Sequence, residues 1–182
     1  YIERLVHKGY KVAICEQIED PKLAKGLVKR KIIKVITPGT ITLENAVASK
    51  QNNYIGCLTA SDGIISMALT DVTTGECLWA DCAASEMGDV LFDILAVYEP
   101  SELIYANMGE YMKTVQHYLK GHLSQCTVTA FAVDDSVDYK EQAKSYFEAE
   151  AFAAASRAGT CIGILLNYVR EVMQSHISHI NL

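Results

Sequence analysis

No stretch of this chain approaches the ~20 consecutive apolar residues that a bilayer-spanning helix needs. The longest runs, such as 162–166, are broken by polar residues within a turn or two. A soluble, cytoplasmic protein is expected. The six cysteines, at positions 15, 57, 77, 82, 126 and 161, contain no C-x-x-C pair, which removes zinc-ribbon readings. Four of them (Cys15, Cys57, Cys126, Cys161) lie in apolar runs and read as small buried hydrophobes in a reducing compartment rather than as a disulfide framework. No G-x-x-x-x-G-K-[ST] phosphate loop and no G-x-S-x-G nucleophile elbow occurs. Repeats and low-complexity tracts are absent too. The chain opens on Tyr1 rather than Met, with no charged n-region or signal-like segment, and reads as an excised piece of a longer protein.

What is present describes an ordinary globular polypeptide: 182 residues, half of them apolar and 21% charged, enough for one full domain plus a fragment. The net charge of -6 hides an asymmetry. Residues 1–40 carry a balance of +5 and residues 41–182 one of -11. Between Pro21 and Leu43 there are six bases (Lys22, Lys25, Lys29, Arg30, Lys31, Lys34) and no acid, a local positive field that could face phosphates or simply be solvated.

Along the chain, Ile2, Leu5 and Val6 follow helical spacing up to Gly9, and Lys11 to Cys15 reads as a buried strand. Asp20-Pro21 opens a short helix closed by Gly26, and Val28 to Ile36 reads as a strand running into the Thr37-Pro38-Gly39 turn. A polar linker over 41–53 marks a domain boundary. Beyond it, Tyr54 to Ala60 and Ile64 to Asp71 flank Ser61-Asp62-Gly63, a hairpin signal, and Thr74-Gly75 leads into a third strand, Glu76 to Ala80. Met87, Val90, Leu91, Ile94, Leu95 and Tyr98 form one helical face, starting near Ser85. A strand over Glu102 to Ala106, a helix from Tyr111 to about Gly121, a strand over Cys126 to Val133 and a helix over Asp138 to Glu150 follow. A last helix presents Ile162, Leu165, Leu166, Val169 and Met173. The order β-β-β-α-β-α-β-α predicts an α/β fold with a ribonuclease H-like mixed sheet flanked by helices, because a meander followed by right-handed crossovers adds parallel strands beside the first.

A nuclease on such a sheet needs carboxylates converging on two metal ions. Here the first strand holds none and the fourth ends in Ala106-Asn107, leaving Asp71, Asp89 and Asp93, of which the first two read as a strand-end and a helix-start acid. A divalent-metal nuclease or phosphotransferase therefore stands only as the alternative. His176 and His179, three residues apart, have no third ligand nearby and read as helix-end histidines, while His7, His117 and His122 are isolated. Trp79 could stack a base, but Asp62, Asp71, Glu76 and Asp81 around it would repel phosphates, so core or edge packing is expected.

Gly9-Tyr10-Lys11-Val12-Ala13-Ile14-Cys15-Glu16-Gln17, then Glu19-Asp20-Pro21, Lys25-Gly26-Leu27-Val28-Lys29-Arg30 and Val35-Ile36-Thr37-Pro38-Gly39-Thr40 resemble the bacterial DNA mismatch repair MutS family. The resemblance implies the C-terminal part of a partial α/β mismatch-binding domain over 1–40. After the 41–53 linker it implies a connector domain over 54–155 and the start of the core or lever region over 156–182, with Leu166-Asn167-Tyr168 in the last helix. It implies a non-enzymatic segment that links mismatch recognition to the levers and ATPase and docks MutL. The mismatch-reading Phe-x-Glu would lie upstream of Tyr1 and the ATPase downstream of Leu182. No cofactor and no metal are then expected in this segment, with ATP and Mg placed elsewhere in the parent. Mismatched duplex DNA and self-association would likewise belong to the parent. Lys29, Arg30, Lys31 and Lys34 are the candidate DNA-backbone contacts.

Overall fold

The computed structural model describes residues 1–20, 26–40 and 52–173. Residues 21–25 of the short helix expected over Asp20 to Gly26, all but the last two residues of the 41–53 linker, and His176 with His179 lie outside the described residues.

A one-turn helix α1 (Ile2–Val6) leads into an antiparallel ribbon of β1 (Val12–Gln17) and β2 (Arg30–Ile36). The ladder pairs Val12 with Ile36 and Gln17 with Arg30, and slips by one residue at Ile33, which bulges between the partners of Ile14 and Cys15. Two strands alone bury little. Val12 and Ile14 are half-buried, while Cys15, Ile32 and Ile33 are exposed. The buried strand expected over Lys11 to Cys15 is therefore a largely exposed one, and Cys15 is a surface thiol rather than a buried hydrophobe. β2 runs into a 3-10 turn, Pro38–Thr40, that is closed by the Thr40 hydroxyl: it accepts from the Thr37 backbone N–H at 2.9 Å and bonds the Thr37 hydroxyl.

The remaining strands form one mixed sheet: β3 (Tyr54–Ser61), β4 (Ile64–Asp71), β5 (Cys77–Ala83), β6 (Glu102–Ala106) and β7 (Thr127–Ala130), in the order β5-β4-β3-β6-β7. β3, β4 and β5 are an antiparallel meander, whereas β6 runs parallel to β3 and β7 parallel to β6. The Asp62-Gly63 hairpin has both residues at positive φ, as its sequence signalled. The central strand β3 is buried along Tyr54 to Leu58 because helices cover both faces. On one face lie α2 (Met87–Tyr98) and α3 (Tyr111–His122), which meet Leu58, Met67, Leu69 and Leu103 through Leu91, Leu95, Val115 and Leu119. Phe92 of α2 stacks on Tyr118 of α3 at 4.1 Å between ring centres, and the Tyr118 hydroxyl donates to the Phe92 carbonyl at 3.0 Å, joining the two helices. Tyr118 also stacks on His122 of its own helix at 4.5 Å.

On the opposite face lie α4 (Tyr139–Lys144), α5 (Ala149–Ala154) and α6 (Gly159–Met173), packed on Ile55, Cys57, Ala68 and Ile104. The single helix expected over Asp138 to Glu150 is two, because the backbone extends at Glu148 while Tyr146, Phe147 and Phe152 turn toward this core. The first α-helix of the sheet unit starts at Met87, after a 3-10 turn over Ala84–Glu86, so Ser85 does not cap it. α6 differs most from expectation. Instead of one apolar face it is buried on all sides from Cys161 to Val169, since it packs on α4 and lies across β2, β3 and β4 at once. No helix among the described residues is long and apolar enough to cross a membrane.

Candidate functional site

One buried carboxylate gathers three parts of the chain. Glu102 opens β6, and the rest of that strand (Leu103, Ile104) is core, so its side chain enters the molecule with no solvent exposure. A carboxylate there is tolerable only when donors surround it. The Tyr168 hydroxyl of α6 donates to Glu102 Oε1 at 2.6 Å. The Lys11 ammonium, one residue before β1, lies 3.2 Å from the same oxygen. The Gly39 backbone N–H donates to Oε2 at 3.2 Å.

Each donor is placed by local structure. A Cβ on Gly39 would stand 2.7 Å from the Ile55 Cβ, so only glycine lets this turn approach closely enough for its N–H to reach Glu102. Lys11 also donates to the Tyr168 hydroxyl at 2.6 Å and sits 4.9 Å from the centre of that ring, a cation held over an aromatic face. Burial and the Glu102 carboxylate push the Tyr168 phenol well above its ordinary pKa, so it remains a proton donor at any physiological pH. Asn53 adds a second tie: its side-chain amide donates to the Pro38 carbonyl at 2.9 Å, and its carbonyl accepts from Ser101 at 2.7 Å. The ribbon, the sheet and α6 are thus clasped at one end of β6.

In the sequence Lys11 and Tyr168 stand only within the runs that carry the family resemblance and Glu102 only as the start of a strand, none of them as a site residue. The usable signal was an acid opening an otherwise apolar strand, which must find cations or donors wherever the strand is buried.

The basic residues lie on the ribbon. Lys29, Arg30 and Lys31 are exposed and Lys34 is half-buried. Lys29 is paired with Glu19 at 3.1 Å. Lys31 faces Glu16 across the ladder, Arg30 faces Gln17 and Lys34 faces Ile14. Arg30, Lys31 and Lys34 lie on β2 and Lys29 immediately before it, while acids of β1 and the following loop offset part of their charge. Asp71 is buried at the end of β4 and organises a turn: it accepts from the Asn53 backbone at 3.0 Å, the Thr73 backbone at 2.8 Å and the Thr73 hydroxyl at 2.6 Å. Asp89 and Asp93 are exposed on α2. Among the described residues no group of three or more His, Cys, Asp or Glu could hold a metal ion. His7, His117 and His122 are exposed, and Trp79 sits part-exposed on β5, the edge strand of the sheet.

Residues 1–45 match the family model described as MutS domain I, and residues 53–181 match MutS domain II. Over its whole length the chain is 34% identical to the DNA mismatch repair protein MutS of Alkaliphilus oremlandii, covering 22% of that protein. It is 36% identical to the MutS of Acetivibrio thermocellus over 99% of the chain and 21% of the relative, and 36% identical to that of Brevibacillus brevis over 100% and 20%. The chain therefore spans about a fifth of the length of the curated relatives it matches. With a domain II match across the whole mixed sheet and its helices, preceded by a domain I match over the ribbon, the chain belongs to the MutS family of DNA mismatch repair proteins.

Proposed function

We propose that this chain is the non-enzymatic connector of a MutS-type mismatch repair ATPase, carrying position from a DNA-reading module to the levers and ATPase of the parent. The observation that carries this reading is the convergence of Lys11, Gly39 and Tyr168 on the buried Glu102, which ties the ribbon, the sheet and α6 into a body able to move as one. The strand order, with β3, β6 and β7 parallel and β4 and β5 antiparallel, supports a ribonuclease H-like connector. The division proposed is 1–40 for the end of the mismatch-binding domain, 41–53 for the linker, 54–155 for the connector and 156–182 for the entry to the lever region, which shares α6 with the connector core. Lys29, Arg30, Lys31 and Lys34 contact the duplex backbone in the parent, positioning it without reading sequence. Mismatched DNA, MutL and a second MutS subunit are the partners, ATP and Mg belong to the parent's other domains, and the site of action is the cytoplasm.

The test uses the full-length parent carrying Lys11→Met together with Tyr168→Phe. Mismatched duplex should still bind and basal ATP turnover should persist, while the stimulation of turnover by mismatched DNA falls severalfold. Stimulation equal to wild type would remove the joint from the coupling path. The docking part is tested by interferometry of this chain against the isolated MutL ATPase domain at two salt concentrations, where the reading expects saturable binding.

A further inference from the structure

Between Lys50 and Lys113 the chain carries ten Asp or Glu and no Lys, Arg or His. That stretch builds β3, β4, β5, α2 and β6, four of the five strands of the mixed sheet and one of its helices, which thus contribute no cation of their own. Asp71 and Glu102 are buried and their charge is spent internally. The others are at or near the surface. In the middle of them is an apolar cavity of about 320 Å3 between the edge of the sheet and α2, lined among others by Met67, Leu78, Trp79, Ile94 and Tyr98. Acids bracket both of its walls in the chain. Glu76 and Asp81 flank the lining run Cys77 to Ala80, while Asp93 precedes Ile94 and Glu99 follows Tyr98. β5 is the terminal strand, so its outer edge pairs with no strand among the described residues.

An apolar hollow of this size takes one aromatic or branched aliphatic side chain together with its neighbours. An open strand edge offers backbone donors and acceptors to an extended segment. A surface segment rich in carboxylates and without a cation attracts cations and repels nucleic acid. We infer that the β5–α2 hollow docks an extended, cationic segment of a partner protein, which lies along the free edge of β5, places an apolar side chain against Leu78 and Ile94, and answers the surrounding acids with Lys or Arg. This deepens the docking reading above and rests on it only in taking the partner to be a protein.

The experiment uses the 182-residue chain and a capped eight-residue peptide alternating Lys with Leu or Val. Two controls accompany it: one with Glu in place of Lys, one with Ser in place of the apolar residues. Saturable binding of the first peptide is expected, weakening as salt is raised, with at least tenfold loss for either control. Leu78→Lys and Ile94→Lys, both at half-buried positions and checked for folding by circular dichroism, should each weaken binding at least tenfold. Equal binding by the Glu peptide, or binding untouched by both variants, overturns the inference. So does concentration-dependent dimerisation of the chain that the same variants abolish, since a second copy would then be the occupant. If the peptide binds in the hollow and the MutL domain binds without competing with it, the surface stands and MutL docks elsewhere. If the peptide binds in the hollow but the MutL domain does not bind at all, the surface stands and MutL is not its partner.

Discussion

At the scale of single residues the molecule is governed by how its polar groups are paired inside an apolar interior. Glu102 tolerates full burial because an ammonium, a phenol and a backbone N–H meet it. Replacing Lys11 by Met should lower unfolding free energy by about 1–3 kcal/mol in denaturant melts, less than the ~3–5 expected for a fully buried pair because its side chain is one third exposed. Tyr168 supplies a pH signature. Its phenol is raised in the folded state, so the stability it contributes is fully present below about pH 10 and is lost as pH rises beyond the ordinary tyrosine value. Tyr168→Phe should remove that component, flattening the alkaline limb of a stability-versus-pH curve, whereas an unchanged limb would place the loss elsewhere. The thiols divide in the same way. Burial pushes Cys77 and Cys126 up to about 12 and raises Cys57 and Cys82, while Cys15 is exposed on the ribbon. Mild alkylation at pH 8 should label Cys15 first and alone; prompt labelling of Cys57 would contradict the packing.

At the scale of elements, α6 and its partners carry most of the burden. A Cβ on Gly163 would collide with the backbone carbonyl of Tyr139, so α4 and α6 touch main chain to main chain there. Gly163→Ala should cost roughly 1–3 kcal/mol by overpacking, despite the better helix propensity of alanine, and a thermal melt reads it directly. The meander and the β6 strand were legible because alternation, the Asp62-Gly63 turn and β-branched runs are local signals. The burial of α6 was not, since its apolar face was visible at 162, 165, 166 and 169 but nothing local shows that β2, β3 and β4 close around its other sides. β1 misled in the opposite direction: Val12 and Ile14 look like core strand residues, yet a two-stranded ribbon has too few neighbours to cover them. The basic run was legible as composition. Its offset by Glu16 and Glu19 was not, because pairing across a ribbon depends on register. In the parent, changing Arg30, Lys31 and Lys34 together to Gln should weaken matched and mismatched duplex alike and reduce the salt dependence of binding, while Lys29, already paired with Glu19, adds less.

At the scale of the whole molecule, the charge map and the fold divide the labour. The ribbon is basic, the stretch from β3 to β6, four of the five strands of the sheet, has no cation, and between them stands the joint at Glu102. A body built this way can present one face to a phosphate backbone and another to a basic protein segment without the two competing for the same ligand. What must hold for that to work is the clasp itself, and hydrogen exchange of the intact chain reads it most directly. In Lys11→Met, amides of the ribbon strands, 12–17 and 30–36, should exchange about tenfold faster or more than in wild type, while those of 55–70 in the sheet keep their protection. Unchanged ribbon protection in that variant and in Tyr168→Phe would mean that the segments are held by other contacts, and the joint at Glu102 would lose its place at the centre of the account.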